Sequence, residues 1–276
     1  MSKATVEAER LLEDLGLHQL PVDPHQVCEA MSSSHYQITI NEQPMDSEGF
    51  HGISMGDANG AAILINEAIA NPHRKRFTAA HEIGHVHLHI QTNQQSQFQC
   101  TATNLSSNNN QNSNFEKEAN EFASSLLMPA SIIASEIHQN DLSWALIENI
   151  QKRCNVSLEA AARRVIALSK DACCLIIHKE NDMWFPIKSQ SFNAFLPTQS
   201  FPGDLSTSPD NNESDSLPND MDECEFSDWN FPDKASTGQL FYSSIHNSEF
   251  NRTMTLLLHE EDTEEDEDHD NEPRFS

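Results

Sequence analysis

His81-Glu82-Ile83-Gly84-His85 is the stretch of this chain best equipped for chemistry. Residues four apart on a helix lie one above the other on the same face, so His81 and His85 can turn ring nitrogens toward one metal ion. Glu82 projects beside them, within reach of a water whose proton it can accept. H-E-x-x-H is the pattern of a zinc peptidase, where the metal is the Lewis acid and the glutamate the base. Zn²⁺ is the cofactor that these ligand types favour. The surroundings read as helix. Asn71-Pro72 offers an N-cap followed by a first-turn proline. Phe77, Ala80, His81, Gly84, His85 and Leu88 fall on one stripe, apolar apart from the histidines. Histidines that face a core need partners, and one metal serves both.

Such a pair needs a third protein ligand and an open position for water. The extended form H-E-x-x-H-x-x-G-x-x-H is excluded, because Leu88 and Gln91 stand where Gly and His would be. The other solution is a glutamate from a downstream helix. Residues 115–128 predict that helix, and Pro129 ends it. Glu116, Glu118 and Glu121 compete for the role. Ala119, Ala123 and Leu127 form an inward stripe whose small residues suit close packing near Gly84. Glu116 lies one turn before Ala119 on that stripe, while Glu118 and Glu121 are displaced toward solvent. Glu116 is the expected ligand, with Glu118 as the alternative. Asn120, four residues on, is placed to accept a hydrogen bond from the non-ligating nitrogen of a ligand histidine, His81 first among them.

Arg76-Phe77-Thr78-Ala79-Ala80-His81-Glu82-Ile83-Gly84-His85 resembles the metal helix of the ImmA/IrrE family of metallo-endopeptidases. Glu116-Lys117-Glu118-Ala119-Asn120-Glu121-Phe122-Ala123, followed by Leu126-Leu127-Met128-Pro129, resembles that family's E-x-x-A-N-x-F-A…L-L-M-P segment. The resemblance covers about residues 1–170 and, more loosely, the region that follows. Its E-x-x-A-N frame supports Glu116 over Glu118. It implies a thermolysin-like zinc site and intracellular proteolysis, with helix-turn-helix repressors of mobile-element or stress genes as targets. The Gln/Asn/Ser-rich stretch 91–114 departs from the family pattern. It predicts a polar loop between the two metal helices, beside the cleft.

The chain has 276 residues, room for a protease domain and a smaller module. Hydrophobic residues make up 37 % and the mean hydropathy is -0.57, so much of the chain is solvated. Met-Ser-Lys-Ala-Thr-Val-Glu has no apolar signal segment, and no apolar run approaches a membrane span. Cysteines 28, 100, 154, 173, 174 and 224 form no C-x-x-C pair and fit a reduced cytoplasm. The net charge of -27 opposes direct DNA binding, which needs basic patches to neutralise phosphates. Residues 260–272 concentrate part of that charge in a tail expected to be disordered, a solubilising segment first and a tether for a basic partner as the alternative.

Along the chain, residues 4–16 and 24–31 predict helices. Tyr36 to Ile40, Gly49 to Met55 and Ala61 to Ile65 predict strands. Ala61 to Asn66 is either an edge strand that can pair with an extended substrate or a plain core strand. Ser131 to Ile137 and Trp144 to Leu168 predict further helices. The latter break at Asn155-Val156-Ser157 and faintly resemble a helix-turn-helix. Arg163-Arg164 is the one basic cluster there, and the pair is read as completing the protease domain. Ala172 to His178 and Met183 to Lys188 predict a hairpin. Residues 197–237 read as irregular, and Gly238 to His246 and Thr253 to His259 as two more strands. The expected architecture is therefore α+β. A thermolysin-like zincin core spans 1–170, a small β-rich accessory module 171–259, and a disordered acidic tail 260–276.

The functional expectation is a zinc endopeptidase in which His81, His85 and Glu116 hold the metal and Glu82 is the base. Its partner would be a protein substrate, a helix-turn-helix regulator, with no nucleic acid or membrane bound directly. Tyr36, His51, His87, His89 and His138 are candidate donors to a tetrahedral oxyanion. His87 and His89 lie off the ligand face and read as ordinary polar residues. The alternative is a non-catalytic metal-binding protein that sequesters a DNA-binding regulator. Closed four-ligand coordination would favour it, and the intact Glu82 argues against it.

Overall fold

Apolar residues at every second position make β3, Gly60–Asn66, the spine of the first sheet: Ala61, Ile63 and Ile65 are buried. β1, Gln37–Gln43, runs parallel to it, and β2, Phe50–Gly56, runs antiparallel on its other side. A fourth strand, β4, Gln97–Thr101, pairs antiparallel with β2, giving the order β1-β3-β2-β4. Two expectations change here. Ala61 to Asn66 is not an edge, since β1 and β2 flank it and leave β1 and β4 outermost. Part of the polar stretch 91–114 is a strand: Phe98 and Cys100 are buried while Gln97 and Gln99 are exposed. This two-residue period is hidden in the sequence by the surrounding glutamines. The computed structural model describes residues 2–45, 49–101, 113–179, 185–193, 217–218, 220–229, 238–247 and 252–261.

α3, Pro72–His85, packs on this sheet. The Asn71 side chain accepts a hydrogen bond from the Arg74 amide at 3.0 Å, and Pro72 fills the first turn. α4, Ser113–Leu127, crosses α3 where Gly84 faces it. A methyl group on Gly84 would stand 3.1 Å from the Phe122 ring and 3.3 Å from the Ala119 Cα, so the glycine sets how closely the two helices approach.

α1, Lys3–Leu15, packs against α4, and α2, Pro24–Met31, lies against β1 and α3. α5, Ala130–Gln139, α6, Trp144–Cys154, and α7, Leu158–Leu168, follow. One polar knot ties them together. Glu9 of α1 accepts from the first amides of α5, Ala130 and Ser131, at 2.5 and 3.1 Å. Arg164 of α7 is buried, donates to the Met128 carbonyl at 2.9 Å and stands 3.5 Å from Glu9. Arg163 pairs with Glu159 on its own helix. The Arg163-Arg164 pair thus has one member committed to the interior, which suits structure better than phosphate binding.

The chain forms two compact units, Met1–Ser169 and Lys170–Ser276. The second unit is an antiparallel sheet of β5, Ala172–Lys179, β6, Phe185–Lys188, β7, Asp222–Cys224, β8, Gln239–Asn247, and β9, Arg252–Glu260, in the order β6-β5-β9-β8-β7. Cys174, Ile176, Leu240 and Leu257 bury one of its faces with Phe192 and Trp229. β7 and a short 3-10 helix, Phe226–Trp229, lie inside the stretch 197–237 expected to be irregular. Trp229 explains the difference, because one fully buried indole anchors a polar segment. Most of that stretch, residues 102–112 of the polar insertion, and residues 262–276 of the acidic tail lie outside the described residues. None of the six cysteines is in a disulfide, and among the described residues no helix is long and apolar enough to cross a membrane.

Candidate metal centre

α3 does not stop at His85 but widens into a π-helical turn, Val86–Ile90, in which the Gln91 amide reaches back to the Val86 carbonyl at 2.9 Å. Such turns recur at functional sites because they re-aim side chains. His81 and His85 bring their Nε2 atoms within 3.0 Å of each other. From α4, Glu116 places Oε2 3.3 Å from His81 Nε2 and Oε1 3.5 Å from His85 Nε2. Ligand bonds of about 2.0–2.1 Å at tetrahedral angles put donor atoms about 3.3 Å apart. The spacing of these three groups suits a zinc-sized ion.

The proton order around them points the same way. Asn120 Oδ1 lies 2.9 Å from His81 Nδ1, so that nitrogen carries the hydrogen and His81 Nε2 presents a lone pair. On the other ring, His85 Nδ1 lies 3.0 Å from His89 Nδ1, and His89 Nε2 lies 3.0 Å from Glu118 Oε2. The Glu118 carboxylate accepts from His89 Nε2–H. His89 Nδ1 must then accept from His85, which leaves a lone pair on His85 Nε2. Two imidazole lone pairs and a carboxylate converge with no proton between them, an arrangement that a cation relieves.

Burial supplies the electrostatics. It lowers His85 to about 3, which keeps the ring neutral, with nearby Glu116 working in the opposite direction. Burial alone would raise Glu116, but the neighbouring His81 and His85 rings outweigh it and hold the acid at about 2. Neutral imidazoles and an ionised carboxylate are the forms that bind metal. Glu82 is fully buried and burial pushes it up to about 7, with neighbouring His81 opposing the rise. Neither of its carboxylate oxygens has a hydrogen-bond partner among the described residues.

Gly52 of β2 makes room for Glu82. A methyl group there would stand 2.8 Å from Glu82 Oε1 and 2.9 Å from Thr78 Cγ2. Glycine inside a strand often marks such a close approach, a signal the sequence itself carries. Gly52→Ala is expected to keep metal content unchanged while displacing the Glu82 carboxylate. Cleavage should drop roughly 10²-fold, as for other misplacements of about 1 Å. Metal analysis beside a turnover assay checks this, and full activity in the variant would exclude the steric role.

Opposite Gly52 in the ladder stands Cys100 of β4. A ligand atom from each of His81, Cys100 and Glu116 lies within 4.8 Å of the other two. Phe98, two residues earlier on the same face, stacks on the His85 ring with centroids 4.1 Å apart and planes 14° apart. Sequence reasoning missed both residues, because β4 is separated from the HExxH motif in sequence and comes to it only by pairing with β2.

The other histidines separate clearly. His89, expected to be an ordinary polar residue, is fully buried and holds the back of His85. The π turn brings it there. Glu118 is half-exposed and touches His89 rather than the central cluster. His87 faces Glu7 and Phe122, and His138 bonds the Leu168 carbonyl at 2.9 Å. Tyr36 lies near Asp57, whose charge adds to burial in raising its phenol. His51 is buried with Nδ1 unpartnered among the described residues. A cleft lined by Asp23, Glu42, Pro72, Lys75 and Arg76 borders the start of α3, and none of the central cluster lines it. His89→Ala is expected to weaken metal binding about 10–100-fold, as loss of a hydrogen bond behind a ligand histidine does elsewhere. Competition against a chromogenic chelator measures it, and an unchanged affinity would remove His89 from the site.

The first unit is thus an α+β fold with an HExxH helix on a small mixed sheet and an acidic helix across it, the class of a metallopeptidase-like protein. Residues 34–165 match the family model of the IrrE N-terminal-like domain, Peptidase_M78, so this part of the chain is similar to that family. No curated protein matches the chain. A solved structure of a Mycobacterium tuberculosis transcriptional regulator is similar, with a TM-score of 0.58 and 14 % identity, covering 94 % of this chain and 88 % of that one. At that identity the likeness establishes a shared fold.

Proposed function

We infer that the chain is a zinc-dependent endopeptidase with a thermolysin-like zincin core in residues 1–170. An accessory module follows in 171–259 and an acidic tail in 260–276. His81, His85 and Glu116 would hold the metal, Asn120 and His89 would orient the two rings, and Glu82 would be the base. The observation that carries this reading is the convergence of two imidazole lone pairs and an ionised carboxylate beside a buried glutamate. When bound, the metal supplies Lewis acidity, polarising a peptide carbonyl and acidifying water toward a pKa of about 7.

The protein's own contributions follow from its side chains. Asn120 and His89 fix the tautomers, so each Nε2 presents its lone pair to the centre. Burial raises Glu82 to about 7, which matches its affinity for a proton to the task of taking one from water and passing it to a leaving amine. Gly52 lets that carboxylate sit against the sheet.

The proposed substrate is a helix-turn-helix regulator, cut in the cytoplasm. The family implies this, and the name of the similar mycobacterial structure is in keeping with a regulatory role. The strong negative charge favours a basic protein partner over nucleic acid. The test is a comparison of new protein N-termini in host cells expressing wild type or Glu82→Gln. Termini in a DNA-binding regulator that appear only with wild type would support the reading. Identical sets at rest and under stress would count against it.

One observation favours a second reading, a non-catalytic metal-binding protein that sequesters such a regulator. The Cys100 ligand atom lies within 4.8 Å of those of His81 and Glu116 as a further donor, and closed sites are structural ones. The buried, unpartnered Glu82 weighs against it, since a structural site has no use for a base.

A further inference from the structure

The residues of the candidate centre are sealed from solvent. His81, Glu82, His85 and Cys100 are each 0 % exposed and Glu116 is 7 % exposed. A peptide bond cannot reach Glu82 in this arrangement. Among the described residues, β4 lies against this cluster. It occupies the outer edge of β2 and turns Phe98 and Cys100 inward, with the Phe98 ring stacked on His85. The Cys100 ligand atom lies within 4.8 Å of those of His81 and Glu116. Both oxygens of Glu82, beside the same cluster, are without hydrogen-bond partners among the described residues.

We propose that Cys100 is a fourth, thiolate ligand of the metal held by His81, His85 and Glu116, and that β4 is thereby a latch that closes the centre in the resting protein. The proposal rests on the metal site described above and adds a regulation to it. A metal with four protein ligands has no place for water, so the centre is inactive while the thiolate is bound. It opens when β4 leaves the edge of β2. That movement frees the fourth position, uncovers Glu82 and exposes a strand edge with which an extended substrate can pair. Two of the three gains need no new chemistry, because the same strand both ligates and covers. The latch reconciles an intact base with a closed donor set, which neither a plain protease nor a plain structural site does.

X-ray absorption at the zinc edge of the full chain, loaded with one equivalent of Zn²⁺, tests it. The expected result is one sulfur scatterer at ~2.3 Å beside nitrogen and oxygen at ~2.0–2.1 Å, with the sulfur lost in Cys100→Ala. Because the wild-type spectrum stands alone, the result does not depend on the folding of the variant. The second readout is cleavage of the substrate identified from new N-termini, where Cys100→Ala is expected to turn over faster than wild type. Bound zinc with only nitrogen and oxygen neighbours would overturn the latch and leave the metal-site reading standing. Sulfur that persists in Cys100→Ala would also overturn it. Zinc binding that is absent, or that His81→Ala and Glu116→Ala leave intact, would overturn both.

Discussion

Glu82→Gln is expected to bind zinc as tightly as wild type and to lose cleavage by about 10²–10⁴-fold, the range contributed by a positioned general base. The two effects separate for a geometric reason. The converging donors are the Nε2 atoms of His81 and His85 and the Glu116 carboxylate. Glu82 stands beside them, against Gly52 and Thr78. Glutamine keeps the volume and fills the same space, so packing between α3 and β2 survives. What it lacks is the ability to take a proton. The variant also relieves the desolvation of an acid buried without hydrogen-bond partners, so its stability should equal or exceed that of wild type. Metal analysis, thermal unfolding and a cleavage assay on the same preparation check the three parts. A variant that cleaves like wild type would exclude Glu82 as the base, and one that loses its metal would make Glu82 a ligand.

Glu116→Ala is expected to cut metal affinity by about 10³-fold or more. Zinc sites built from protein ligands are worth roughly 10–16 kcal/mol in total, so one ligand of three or four contributes on the order of 3–5 kcal/mol. The loss falls on the carboxylate, whose charge the two imidazoles do not replace. Glu118→Ala is the informative companion. Glu118 reaches the centre only through His89, so its removal should weaken binding by about 10-fold at most. If Glu118→Ala costs more than Glu116→Ala, the acidic ligand has been misassigned. Titration with a chromogenic chelator separates the two cases.

The sequence carried the pieces of the centre that lie on helices. His81, Glu82 and His85 follow from one five-residue pattern, and Glu116 and Asn120 from the inward stripe of a second helix. The structure brings all five side chains to one place. Helical spacing is rigid, so a face read from sequence transfers directly to space. The partners of that face were less legible. His89 follows His85 at helical spacing, but its burial depends on the π turn and on Phe98 and Phe115 packing against it. Gly52 and Cys100 lie on strands, where position depends on register with a neighbour remote in sequence. The polar composition of 91–114 hid β4 because only alternate residues of a short edge strand need be apolar. Trp229 likewise escaped notice in a segment whose composition reads as irregular.

By itself, then, the sequence determined the local chemistry of this protein. It set two histidines and a glutamate on one helix, an acid and an amide on another, and a glycine between them small enough for the helices to meet. These are matters of residue type and helical period, which the chain encodes within a few turns. Only the tertiary structure decided what surrounds that chemistry: which tautomer each ring adopts, how deeply Glu82 is buried, and which strand lies over the cluster. Those depend on contacts between residues far apart in the chain, where the free energy of burial and the register of a sheet choose the neighbours.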